Sequence, residues 1–188
     1  MINKLYLRKE NIKQIKKILY SSNNLNSIEL PNFLDGPYYD ALRKRIISLK
    51  YKSYIDPLNF KYSMANVPAA LINDPNLLAF VSLVFGKKIN HIDAYSYKLR
   101  WKDYTILNDD SLEKAGVDVI FDLTENWDEK NGGVVVYADG TGEYFTLPPR
   151  KNSMFIVRRK RNVHKFIKYL NHYSKERYLI IGTLRPWA

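Results

Sequence analysis

The stretch that decides the fold is Val117-Asp-Val-Ile-Phe-Asp-Leu123, then Thr124-Glu-Asn-Trp-Asp-Glu-Lys-Asn-Gly-Gly133, then Val134-Val-Val-Tyr137. It is an apolar run with charges inserted, a polar break, and an Asn-Gly-Gly turn from which a second apolar run opens. Apolar segments of this length bounded by Gly and Asn read as β-strands. The same texture extends outward on both sides. Residues 91–99 (His-Ile-Asp-Ala-Tyr-Ser-Tyr-Lys-Leu) alternate, and 104–108 is a further short segment. Glu143–Leu147 ends at Pro148-Pro149, Ser153–Val157 is mostly apolar, and two more segments occupy 163–170 and 177–184. Eight short strands with no internal repeat predict a jelly roll, two antiparallel sheets facing one another.

Upstream of residue 89 the signals are helical. Asp35 stands before Gly36-Pro37, and Leu42, Ile46 and Leu49 follow at helical spacing, which predicts a helix over about 37–49. A second helix runs from Asp74-Pro75 through Leu77, Leu78, Val81 and Val84 to Phe85, where Gly86 ends it. Ile12, Ile15, Ile18 and Leu19 give an amphipathic N-terminal helix packed on the domain. Residues 50–73, with Pro57 and Pro68, read as an irregular connection over the surface. The expectation is an α+β, mainly β, single domain over 1–188. Residues 1–88 form a mostly helical leader packed on one sheet, and 89–184 form the jelly-roll core.

Composition bounds the chemistry. The chain has 188 residues, 46% hydrophobic and 14% aromatic, enough to bury a core. Without cysteine, disulfides, thiolate metal sites and cysteine nucleophiles are excluded, and imidazole chemistry is limited to His91, His164 and His172. Thirty Lys and Arg against 19 Asp and Glu leave +11. Such a balance suits phosphate contacts, but equally a plain solubility surface; nucleic acid is a possible partner that nothing favours. Arg158-Arg159-Lys160-Arg161 reads as a solvated loop with an acidic partner as its functional alternative. No run of 18 apolar residues predicts a membrane span, and a cytoplasmic location is the default expectation.

Four stretches resemble the 2-oxoglutarate- and iron(II)-dependent dioxygenases, in their prolyl-4-hydroxylase-like branch. Residues 102–110 (Lys-Asp-Tyr-Thr-Ile-Leu-Asn-Asp-Asp) are similar to the family's Gly-Asp-Tyr-x-x-x-His-x-Asp. Residues 123–133 resemble its Leu-x-x-x-Trp-x-x-x-x-Gly-Gly hairpin. Pro148 through Val157, leading to 162–169, is similar to the strand pair that brings in the distal histidine, and 177–182 (Arg-Tyr-Leu-Ile-Ile-Gly) to the closing strand. The likeness covers roughly residues 89–184.

Non-haem iron oxygenases hold Fe(II) with two histidines and a carboxylate, leaving room for a chelating 2-oxo acid and oxygen. The resemblance implies Asp110 as the carboxylate ligand and His164 as the distal imidazole. Arg177 would pair with the far carboxylate of 2-oxoglutarate, a task suited to a planar fork of donors. Its offset from His164 fits adjacent antiparallel strands joined by a turn at Tyr173-Ser174-Lys175. Tyr97 and Tyr104 either line the cosubstrate pocket or belong to the core. Where the family has its first histidine this chain has Asn108, a neutral oxygen donor and a much poorer partner for iron. The literal His91-x-Asp93 lies a whole strand too early, and His172 falls in a turn with a structural role. Trp127 and Gly132-Gly133 shape the hairpin. The sequence therefore supports an Fe(II)/2-oxoglutarate hydroxylase acting on a protein, peptide or small molecule, or a catalytically degenerate relative serving as a binding module.

Overall fold

The computed structural model describes residues 2–21, 23, 25–106, 112, 113, 115–142, 144–160 and 162–184, with the backbone alone at Leu112, Glu113 and Glu129. Its elements, in chain order, are α1 (Lys9–Leu19), β1 (Leu25–Leu30), α2 (Gly36–Ile47), β2 (Lys52–Asp56), β3 (Phe60–Asn66), α3 (Ala69–Ile72) and α4 (Pro75–Phe85). There follow β4 (Asp93–Leu99), β5 (Tyr104–Thr105), β6 (Leu112–Glu113), β7 (Gly116–Asp122), β8 (Val135–Ala138), β9 (Tyr144–Leu147), β10 (Ser153–Arg159), β11 (Val163–Ile167) and β12 (Arg177–Leu184).

Two antiparallel sheets face each other. The larger runs β1-β10-β7-β12-β4-β3-β2, with β5 added to β3, and the smaller runs β6-β11-β8-β9. The central strands of the large sheet, β7, β10 and β12, are buried on both faces, successive side chains pointing to opposite sides that are both covered. On β7, Val117, Val119 and Phe121 pack against the helices together with Leu19, Ile46 and Phe80. Ile120, on the other face of β7, packs with Tyr137, Val157 and Leu179 between the sheets.

The helices begin and end where local chemistry dictates. Asp35 accepts a hydrogen bond from the Tyr38 amide (3.0 Å) ahead of α2, and Asp74 accepts from Asn76 and Leu77 (2.9 and 3.3 Å) ahead of α4, each satisfying a first-turn donor. Gly86 closes α4 at φ 65°, a conformation that glycine adopts without strain. On α1, Ile15 and Leu19 are buried while Ile18 is exposed. Helices α1, α2 and α4 cover one face of the large sheet, as the sequence predicts. Among the described residues no helix is long and apolar enough to cross a membrane.

Three expectations are corrected. Residues 50–73 contain the β2–β3 hairpin, with Tyr54 stacked on Tyr62 across it (5.6 Å). Pro57 and Asn59 mark its tight turn, where Asp56 accepts from the Leu58 amide (3.0 Å). The first half is also less helical than predicted, since β1 adds an edge strand to β10, Ile28 opposite Ile156. Finally, β11 and β12 are not neighbours in one sheet. β11 pairs with β6 and β8, β12 with β4 and β7, and the chain between them crosses from one sheet to the other. In a two-sheet barrel, strands consecutive in sequence need not pair.

Candidate functional site

Between the sheets the large sheet turns not only apolar groups but two sets of ions inward. At one end Asp118, with no solvent exposure, accepts from the Arg159 guanidinium (2.8 Å), the Tyr137 hydroxyl (2.6 Å) and the Thr183 hydroxyl (3.0 Å). The Lys165 ammonium of β11 stands 3.6 Å from the same carboxylate. At the other end, one turn of the pleat beyond Ile120, Asp122 accepts from Arg177 (2.8 Å) and from the backbone amides of Thr124 and Arg150 (2.9 and 3.0 Å). Arg177 is 1% exposed and also donates to the Gly133 carbonyl. Four residues of strand separate the two carboxylates, roughly 13 Å. Buried charges persist only when paired and hydrogen-bonded, and both sets meet that condition.

Sequence reasoning missed this row. Its signal was the pair of aspartates set four apart inside an apolar strand, which puts both on one face. Arg159 is a correction of the same kind. Arg158 and Arg159 do not lie in a solvated loop, since both belong to β10; Arg161 lies outside the described residues. Arg158 donates to the Leu19 carbonyl (3.1 Å) and lies over the Tyr20 ring (4.2 Å), and Lys160 donates to the Ser21 carbonyl (2.7 Å).

The residues named from the sequence are scattered. Asn108 and Asp110 lie outside the described residues. His164 sits on β11 opposite Ala138. Its neighbours Val163, Lys165 and Ile167 turn inward, to the core or to Asp118, so period-two alternation places His164 on the outer face of the strand. Tyr97 packs on the inter-sheet core beside Tyr62 (5.5 Å). Tyr104 donates to the Pro57 carbonyl (2.8 Å), bracing the β2–β3 hairpin. His91 and Asp93 do meet (3.0 Å), but exposed on the surface and held by Asn73. The His172 ring lies tilted against that of Tyr173 (3.9 Å) in the connection after β11. Trp127 and the glycines shape the hairpin as expected, the indole donating to the Gly132 carbonyl (3.2 Å).

Among the described residues no group of three His, Asp or Glu could hold a metal; Asn108 and Asp110, two of the three residues that the resemblance assigns to iron, lie outside them. Arg177, the residue assigned to the far carboxylate of 2-oxoglutarate, has a carboxylate partner of the chain itself in Asp122.

One further titratable group is buried near the motif. Asp103 is 1% exposed, and burial pushes its carboxyl up from the usual carboxylate range. The Arg100 amide (2.8 Å) and the Lys61 ammonium (3.7 Å) oppose that shift. A carboxyl whose folded pKa is raised favours folding while protonated, and that contribution is lost as pH rises through the folded pKa. Asp103→Asn keeps an acceptor for Arg100 without the ionisation. The melting temperature of this variant at pH 7 should equal or exceed that of the parent, and its pH dependence from the ordinary carboxylate range upward should flatten. A clearly lower melting temperature at pH 7 would show that the Lys61 contact outweighs burial.

Above the Arg159–Asp118 end, the barrel opens into a groove of about 910 Å³ between α1, β1 and the β8–β9 turn. Leu25 and Phe145 connect it to the inter-sheet core. Gln14, Lys17, Ile18 and Tyr144 line its walls, with no Asp or Glu among the described lining residues. On the adjoining face of α1, Lys13 and Lys16 flank Tyr20 and Phe85.

The sequence matches no family model. It is 33% identical to the prolyl 3-hydroxylase OGFOD1 of Mus musculus over 82 residues, 41% of this chain, and it spans only 15% of that protein. Solved structures match over nearly the whole chain. A Pseudomonas putida prolyl-4-hydroxylase superposes with a TM-score of 0.70 at 12% identity, covering 93% of this chain and all of that one. A Trichoplax adhaerens prolyl hydroxylase, solved with a peptide fragment of the hypoxia-inducible factor oxygen degradation domain, gives 0.70 at 13% identity over 96% and 93% of the two chains. A Burkholderia pseudomallei oxidoreductase of the 2OG-Fe(II) oxygenase family gives 0.66 at 14% over 94% and 90%. With its paired antiparallel sheets and covering helices, the chain thus has the double-stranded β-helix fold of the 2-oxoglutarate/Fe(II)-dependent oxygenases, in the form seen in prolyl hydroxylases.

Proposed function

We propose that this chain uses the hydroxylase fold as a binding module that takes an acidic peptide segment at the open end of the barrel. The observation that carries the reading is the Asp118–Arg159–Lys165 cluster: charged side chains that satisfy one another fill the space between the sheets. The groove above supplies the binding surface. It combines an exposed Tyr144 and the stem of Lys17 with a wall free of carboxylates among its described residues. Such a surface attracts negative charge and offers aromatic area. The Trichoplax adhaerens enzyme, solved with a peptide, supports the occupant's class.

A second reading is the 2-oxoglutarate/Fe(II)-dependent hydroxylase itself. Its support is the kinship of every solved structure reported above and the place of Arg177 at the start of the closing strand. One pair of measurements separates the two. A fluorescein-labelled acidic decapeptide should bind with an anisotropy change that weakens as salt rises, and Lys17→Glu should weaken it about tenfold. Anaerobic addition of Fe(II) and 2-oxoglutarate should give no visible charge-transfer band. A band with no peptide binding would establish the hydroxylase reading instead. Tighter binding of a single-stranded oligonucleotide than of the peptide would replace the acidic peptide with nucleic acid.

A further inference from the structure

Arg177 is the buried cation that the resemblance assigns to a ligand's carboxylate, yet the protein has already supplied one. Asp122 lies on the neighbouring strand with no solvent exposure. Its Oδ2 accepts from Arg177 Nη2 (2.8 Å) and from the Arg150 amide (3.0 Å), and its Oδ1 from the Thr124 amide (2.9 Å). One guanidinium and two backbone N–H groups, contributed by β12, by the segment leading to β10 and by the chain just after β7, converge on a single carboxylate. That is the donor set of an anion site. Here the anion is covalently part of the chain.

We propose that Asp122 is a built-in ligand, its side chain occupying on Arg177 the place that the distal carboxylate of a dicarboxylate cosubstrate would take. This deepens the non-catalytic reading and rests on it. A free dicarboxylate would have to displace a carboxylate that pays no association entropy and is held by three donors. It would also have to enter beside the displaced Asp122 carboxylate, a like charge. The interior is self-liganded, and selectivity against 2-oxoglutarate follows from one residue. Arg177 Nε, buried and without a hydrogen-bond partner, shows that the cradle's donors are not exhausted when Asp122 is in place.

The test uses the whole chain without metal. In the parent, isothermal titration with 2-oxoglutarate to millimolar concentration should give no binding heat, and the melting temperature should not move with added formate or acetate. Asp122→Ala removes the carboxylate and leaves the cradle. Its melting temperature should fall by several degrees and recover by at least half on adding formate or acetate, but not on adding chloride at equal ionic strength. If the variant melts like the parent, or if carboxylates rescue it no better than chloride, Asp122 does not act as a ligand. Should the variant not fold, the parent titration decides alone, because 2-oxoglutarate binding that disappears in Arg177→Met would show the cradle open to solutes.

Failure of the non-catalytic reading is visible separately. An iron charge-transfer band equally strong with pyruvate, which lacks the distal carboxylate, and with 2-oxoglutarate would overturn that reading while leaving the assignment of Asp122 intact.

Discussion

Asp118→Ala is expected to cost the fold about 3–5 kcal/mol, the range found when one partner of a buried ion pair is removed. The reason is not the loss of one contact. The Asp118 carboxylate is the common acceptor for Arg159, Tyr137 and Thr183, with Lys165 at 3.6 Å. Without it two cations between the sheets lose the carboxylate they share. Arg159, 3% exposed, lies on a strand buried on both faces and cannot reach bulk water by a rotamer change. Lys165, less deeply buried, can turn outward, so part of the repulsion relaxes. Urea denaturation should show the midpoint lowered with little change in slope, and thermal melting a fall on the order of 10 °C for a chain of this size. Asp118→Asn keeps an acceptor for the Tyr137 hydroxyl and should lose less. If both variants fall by under about 1 kcal/mol, typical of a solvated pair, then water reaches the cluster and the interior is open enough to hold a ligand.

How much of this was readable beforehand depends on what each residue's environment needed. Strands β7, β8, β10 and β12 announced themselves because apolar runs broken by Asn-Gly-Gly and Pro-Pro leave few alternatives. The fold followed from their order. The β2–β3 hairpin did not, because Tyr54, Phe60 and Tyr62 alternate with Lys and Ser in a half-exposed sheet extension, and Pro57 looked like a break when it marks the turn. The site was harder still. Motif register assigned Arg177 a ligand, but a guanidinium bound to a ligand and one bound to Asp122 have the same sequence signature. Only the side-by-side pairing of β7 and β12 in one sheet, Leu179 opposite Asp122, distinguishes them. His164 shows the complementary limit. A one-residue difference in which face of β11 points inward exchanges His164 for Lys165, and motif spacing does not resolve a single residue.

Gly132→Ala carries the other large expected effect, and it tests how the hairpin after Trp127 holds Arg177. Gly132 has φ 77° and Gly133 φ 71°, both in the left-handed region. For either, a side chain costs about 1 kcal/mol in backbone strain alone. The surroundings then separate them. A Cβ on Gly132 would overlap the backbone carbonyl oxygen of Tyr169, a group fixed by the bridge between Gly132 and Leu170 and by the Lys168–Val134 and Leu170–Asp103 hydrogen bonds. Neither backbone can yield without breaking those bonds. A Cβ on Gly133 would meet only the Leu170 side chain, at 3.1–3.4 Å, which a small rotamer adjustment accommodates. Gly132→Ala should therefore lose at least about 3 kcal/mol and Gly133→Ala about 1–2 kcal/mol, read from urea midpoints. The loss at Gly132 should extend further than the loop. Displacing it moves the Gly133 carbonyl off Arg177, so amide exchange of Thr124 and Arg150, whose N–H groups hold Asp122, should accelerate along with that of Leu170. Equal losses at the two glycines would mean that the segment after β11 gives way as easily as a side chain, and that the closed end of the barrel does not depend on this hairpin.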